Sequence, residues 1–254
     1  MTNVEEYRYI CSLTLSYFRH SSFVIRHFPM ETSLHRRLKS HYAKPGAKYE
    51  EPLGRYRIDV HNGHELVEIQ HGSLAAIRDK IRALVVDHCV RVVKPIIGRK
   101  TLVRLDGPGG SEISRRLSPK QGTLLDVFDE LIFFRRVFPH PQLVVEVPVV
   151  DIEETRYPGH GRRRRWRADD FVVDDQYLIA VRSCTILRSA SDLLALLPNN
   201  LPRPWQTNHL AQASGIGRSA AQRIAYCLRH MSAIREVGKQ SNALLYDYAA
   251  RRAA

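Results

Sequence analysis

The run Arg57–Gln70, RIDVHNGHELVEIQ, constrains the fold more than any other stretch of the chain. It alternates apolar and polar residues on both sides of Asn62-Gly63, the dipeptide that most favours a two-residue type I′ hairpin turn. Such a turn sets His61 opposite His64, Asp59 opposite Leu66 and Arg57 opposite Glu68. Side chains alternate with a period of two, so Arg57, Asp59, Leu66, Glu68 and Gln70 share one face, and Ile58, Val60, Val67 and Ile69 the other. Asp59 and Glu68 become diagonal neighbours, roughly 7–8 Å apart at the backbone, near enough for both carboxylates to meet at one divalent cation.

Helical patterns flank the hairpin. Met30, Leu34, Leu38 and Tyr42 recur at helical spacing from Glu31 until Pro45-Gly46 ends the pattern. Downstream, Ser73 is placed to cap a helix over Leu74–Leu84, and Cys89–Ile97 reads as a buried strand. This order, with an acid, Glu31, on the first helix, Asp59 on one strand and Glu68-Ile69-Gln70 on the next, resembles the PD-(D/E)xK nuclease superfamily over about residues 30–97.

The resemblance implies a restriction-endonuclease-like α/β (α+β) fold, a central mixed sheet flanked by helices, and a Mg2+ site (Mn2+ as substitute). Asp59 and Glu68 would hold the ion with the Ile69 carbonyl, and Glu31 would join directly or through water. Gln70 stands where the family has its lysine. In some members Gln serves there, and in others the lysine comes from a neighbouring element, for which Lys80 is the candidate here. Ile58 replaces the signature proline, which makes no metal contact. Hydrolysing a phosphodiester requires an activated water and neutralised phosphate charge, and a hard cation on oxygen ligands supplies both. His61 and His71 lie close to this motif in sequence as proton relays or as ordinary surface residues.

Charge points to a polyanionic partner. Thirty-nine Lys plus Arg stand against 26 Asp plus Glu, a formal net charge of +13, and counterion release from phosphates drives association with such a surface. The four cysteines, at 11, 89, 184 and 227, show no zinc spacing and no disulfide framework. Residues 1–29 lack the apolar core of a signal peptide, and no run has the length of a membrane span, so a cytoplasmic protein is expected. Met30 directly precedes the motif helix, which suggests translation from Met30 and an upstream extension over 1–29.

Between 98 and 185 the pattern suggests a strand over Leu102–Asp106, a turn at Gly107–Gly110, a helix over Leu124–Phe134 and a strand over Gln142–Val150. Arg115, Arg116 and Lys120 fall in a basic, turn-rich segment. The run Arg162, Arg163, Arg164, Arg165, Trp166, Arg167 places five arginines around one tryptophan, a composition that tracks a phosphate backbone and stacks on a base. Asp151, Glu153 and Glu154 read as counter-charges to that run.

The character changes after Ser189. A short helix over Ala190–Leu197 is followed by a helix over Thr207–Ala213, a turn at Ser214–Gly217, a second helix over Arg218–Met231 and a hairpin over Ala233–Tyr248. This resembles a winged helix-turn-helix domain over 186–254. Ala220, Ile224, Cys227, Leu228 and Met231 form the expected buried stripe. Arg218, Ser219, Gln222, Arg223, Tyr226 and Arg229 are left for the outer face, with Lys239 on the wing. Two functions of different class follow. One is a Mg2+-dependent nuclease over 30–185 whose winged helix anchors DNA in preference to RNA, a homodimer suiting double-strand cleavage. The other is a DNA-binding regulator or recombination accessory that keeps the fold without hydrolysis.

Overall fold

The computed structural model describes residues 31–159 and 170–249. The expectations for residues 1–29 and for Arg162–Arg167 therefore lie outside the described residues. Helix α1, Ser33–Tyr42, is capped by the Thr32 hydroxyl, which accepts from the His35 amide at 3.3 Å. Strands β1 (Lys48–Leu53), β2 (Tyr56–His61) and β3 (Glu65–Ile69) form an antiparallel meander. A 3-10 turn at Leu74–Ala76, capped by Ser73, leads into α2, Arg78–Leu84. The single helix expected over Leu74–Leu84 is thus broken near Ile77.

Lys94-Pro95 likewise divides the strand expected over Cys89–Ile97. Proline has no amide to donate to the ladder, and the chain forms β4 (Cys89–Val93) and β5 (Ile96–Leu105) on either side of it. Strand β6 (Glu112–Leu117) occupies the segment expected to be turn-rich, and α3 (Val127–Phe134) follows a 3-10 turn at Leu124–Asp126. Strand β7 (Leu143–Pro158) runs well past the Val150 end expected from sequence, and β8 (Phe171–Leu187) forms where the sequence pattern suggests no element.

The sheet runs β1-β2-β3-β4-β7-β5-β6, with β8 also on β7. β3, β4 and β7 pair parallel, and β5 pairs parallel with the later part of β7. β8 pairs antiparallel from Val145 to Pro158, spanning the registers of both β4 and β5. Hence β4 and β5 line one edge of β7 and β8 lines the other. The result is a mixed α/β architecture, a central mixed sheet flanked by helices.

Both sheet faces are covered. Leu34 and Leu38 of α1 pack with Val60, Val67, Ile69, Val93, Val150 and Ile152 on one face. The larger core, on the other face, joins Leu66, Val92 and Val145 to α2, α3 and the C-terminal helices. Burial on both faces is what a parallel sheet centre requires. It also corrects the face assignment from sequence: Leu66 and Glu68 are buried, and Ile58 joins the larger core rather than Val60.

The C-terminal elements follow the expected order: α4 (Ala190–Leu194), α5 (Thr207–Ser214), α6 (Arg218–His230) and the hairpin β9 (Ile234–Gln240) and β10 (Ala243–Tyr248). Gly215 ends α5 with φ 63°, a left-handed conformation that glycine adopts without steric cost. Trp205, fully buried, bridges to Tyr246 by two backbone hydrogen bonds of 2.9 and 2.8 Å. α6 buries Ala221, Ile224, Ala225, Cys227 and Leu228, so Ala221 takes the place expected of Ala220. Its stripe is broad because α6 packs on α3 as well as on its own neighbours: the Cys227 thiol lies 3.6 Å from the Phe128 carbonyl.

Candidate active site

The hairpin turn lies further along the chain than Asn62-Gly63 implies. Asn62 N–H donates to the Glu65 carbonyl at 2.9 Å, so Gly63 and His64 are the central residues, Gly63 at φ 82°. Val60 pairs with Val67 and His61 with Leu66. Every pairing has moved by two, an even number, so alternation is preserved while Asp59 comes opposite Glu68 instead of diagonal to it. In this register Ile69 N–H belongs opposite the Ile58 carbonyl. It donates instead to the Asp59 carboxylate at 2.7 Å, where the regular ladder stops. The two acids therefore face each other across the point at which β2 and β3 separate.

Basic side chains from two helices converge on this region. Lys80, on α2, places its ammonium 2.6 Å from Glu68 and also donates to the Arg57 carbonyl. On α1, His35 Nε2 lies 3.3 Å from Asp59 and 3.7 Å from Glu31. Lys39 holds Glu31 at 2.6 Å and also pairs with Glu50. Glu31 precedes the N-cap of α1 rather than lying on the helix, and it is linked to Asp59 through His35. Gln70 turns its amide to the Ser73 carbonyl at 2.8 Å and secures the loop ahead of α2. Ile69 contributes its N–H to the Asp59 carboxylate.

Burial and charge separate the two carboxylates. Burial, then the neighbouring Asp59 charge, pushes Glu68 up to about 7 even with Lys80 beside it. Burial also opposes ionisation of Asp59, but the His35 contact and the Ile69 N–H outweigh it and hold Asp59 below the usual carboxylate range. Glu31 and Glu50 likewise outweigh burial at Lys39 and raise its pKa. Near neutral pH the pair carries one fixed charge and one proton that is easily lost. Among the described residues, no group of three or more His, Cys, Asp or Glu side chains is arranged to hold a metal ion.

Neither candidate histidine touches the pair. His61 pairs with Glu51 through Nδ1 and with the Gly63 carbonyl at 3.1 Å. His71 lines an open pocket of ≈390 Å³ with Lys94, Lys100, Lys120 and Glu130. Burial, with Lys94 and Lys100 nearby, depresses it to about 4. His35, Lys39 and Glu50 escaped the sequence reading. The spacing Glu31, His35, Lys39, at intervals of four, is the signal that points to them.

The expected nucleic-acid face of α6 is only partly open. Arg218, Ser219 and Gln222 are exposed, as is Lys239 on β9. Arg223 instead pairs with Asp129 of α3 at 2.6 Å, Tyr226 lies beneath Arg135, and Arg229 pairs with Glu236 at 3.2 Å. α3 thus covers one flank of the expected reading helix. The acids of β7 are partnered within the sheet, Asp151 with Arg182, Glu153 with Arg115, and Glu154 with Lys100 and Arg156.

These features define a mixed α/β protein with a carboxylate pair at a strand junction. Residues 32–188 match the family model described as "Domain of unknown function (DUF8091)", and the chain belongs to that family. The match runs from the N-cap of α1 to the end of β8 and stops just before α4. An uncharacterized protein of Treponema pallidum (strain Nichols) is 29% identical over 183 residues, 72% of each chain. No solved structure matches.

Proposed function

We propose that this chain is a Mg2+-dependent nuclease of the PD-(D/E)xK kind, acting on DNA, with residues 186–254 forming a winged helix that anchors the substrate. The observation that carries this reading is the triad of Asp59, Glu68 and Lys80, with the lysine supplied by α2 and Gln70 engaged elsewhere. Two facing carboxylates suit magnesium, which takes one or two carboxylates and keeps several waters. The bound ion would neutralise phosphate charge and lower the pKa of its water.

Asp59, already ionised, supplies the permanent ligand, its carboxylate oriented by Ile69 N–H and His35. Glu68 supplies the second on losing its proton, a loss favoured near neutral pH. Lys80, 2.6 Å from Glu68, balances that charge and holds an ammonium beside the position of the attacking water or phosphate oxygen. Glu31 and Lys39 fix His35 and so fix Asp59. The helix–bridge–helix–helix–hairpin order of α4, Trp205, α5, α6 and β9–β10 supports the winged-helix reading.

The second reading, a DNA-binding regulator without hydrolysis, is favoured by the ion pairs that already occupy Asp59 and Glu68. Cleavage of supercoiled plasmid distinguishes the two. Nicking that requires magnesium or manganese, stops in EDTA and disappears in folded Asp59→Asn and Glu68→Gln proteins supports the nuclease. Retained DNA binding with no cleavage of duplex, single-stranded or branched DNA supports the regulator. For the nuclease, Lys80→Ala should lower kcat by about 100-fold or more, the scale of a lost charge-stabilising donor, while Gln70→Ala should cost far less.

A further inference from the structure

Away from the carboxylate pair, β5, β6, β7 and the start of β8 enclose a pocket of ≈420 Å³ lined by Arg104, Arg116, Arg156, Tyr157, Phe171 and Asp170, among others. Its arginines are set by strand register. Arg104 pairs across from Arg156 on β7 and from Ser114 on β6, and Arg116 pairs with Leu102, two residues from Arg104 on the same face. Like charges directly opposite in a sheet repel. Arg156 is offset by Glu154 at 2.6 Å, and its guanidinium lies 4.0 Å from the centre of the Phe171 ring. Its Nε–H is nevertheless buried without a hydrogen-bond partner, a state that folded proteins rarely tolerate. No carboxylate among the described residues pairs with Arg104 or Arg116, both of which are exposed. The pocket is therefore a mainly cationic cavity, with Asp170 and the Phe171 ring also in its lining.

We propose that this pocket binds one nucleotide of an unpaired nucleic-acid strand, its phosphate between Arg104, Arg116 and Arg156 and its base against the Phe171 ring. Guanidinium groups match phosphate oxygens in pairs, and a base stacked on an aromatic ring is the common device of single-strand binding. Duplex DNA, whose bases are stacked and paired, offers no base to a pocket of this kind. The site also connects with the carboxylate region. Lys100 pairs with Glu154 at 2.7 Å, Glu154 pairs with Arg156, and the Lys100 charge reaches His71, next to Gln70. The proposal extends the nucleic-acid part of the functional reading and is independent of hydrolysis.

The test is fluorescence anisotropy of a labelled oligothymidylate and of a hairpin duplex in EDTA, where cleavage cannot contribute. The full chain is compared with R104A/R116A and with the charge-matched control R37A/R136A, all four positions being exposed. The proposal expects R104A/R116A to weaken single-strand binding by about tenfold or more and to reduce the slope of log affinity against log salt by about 1.4, two single-strand phosphate contacts. The control should change binding about threefold or less, and duplex binding should change less than single-strand binding in R104A/R116A. Equal losses in the two double variants, an unchanged salt slope in R104A/R116A, or no binding of the oligothymidylate by the wild-type chain overturns it. Because no metal is present, these results stand apart from whether Asp59 and Glu68 cut.

Discussion

Glu68 shows at the scale of one side chain what the fold does to ordinary residues. Its carboxylate is buried beside Asp59 and retains a proton to about pH 7. His71, three residues on, carries the opposite consequence of burial, a pKa depressed to about 4. The sign follows from linkage. A histidine whose folded pKa lies below its unfolded value contributes stability that is present above about pH 6.5 and is lost as pH falls toward 4. Across that window, chain stability should fall by on the order of 3 kcal/mol through this residue. Thermal melting from pH 8 to 4 should show a shallower acid slope for His71→Asn than for wild type; equal slopes would remove His71 from the account. Asp59 and Glu68 were legible in sequence because strand alternation names them. Their mutual position was not, since the turn centre depends on which amide closes the hairpin, and the Asp59 bond to Ile69 N–H ends the ladder. His35 and Lys39 were hidden for another reason. They reach the site only through the packing of α1 on the sheet, a contact of residues distant in sequence.

At the scale of elements, breaks come from chemistry that is visible locally, and lengths do not. Lys94-Pro95 parts β4 from β5, as a missing amide must. β7, at 16 residues, exceeds the strand expected over Gln142–Val150 because it serves three neighbours and admits Asp151, Glu153 and Glu154, neutralised by Arg182 of β8, Arg115 of β6 and Lys100 of β5. The C-terminal elements were legible almost residue by residue, since Pro198, Gly215 and the hairpin are punctuated in sequence. The packing of α6 on α3 was not, because Arg223 reads as an outward residue until Asp129 is known to face it. Trp205 is the pin of this part, fully buried and tied to Tyr246 by two backbone bonds. Trp205→Ala should cost about 3–5 kcal/mol, measured by urea unfolding. A loss below about 1 kcal/mol would show that the bridge does not hold the hairpin to the helices.

At the scale of the whole molecule, the larger core runs without interruption from the sheet through α3 into α4, α5, α6 and Tyr246. The described residues form one compact unit, although the family match ends at 188. The chain should therefore unfold in a single calorimetric transition, and a fragment ending at 188 should be unstable because it exposes the apolar surface of α3. Two separated transitions, or a stable fragment 31–188, would show independent domains instead. The formal charge of +13 is the basis for proposing a polyanionic partner and says nothing about where it would bind; the proposed place rests on register, which brings Arg104 beside Arg156. The central claim is that Asp59 and Glu68 form a divalent-cation site, and calorimetric titration of the full chain with Mg2+ and Mn2+ tests it most directly. The account predicts binding of one ion per chain at pH 7.5, lost in Asp59→Asn and in Glu68→Gln and weaker at pH 6 as Glu68 gains its proton. No binding by wild type, or binding unchanged in both variants, would contradict it.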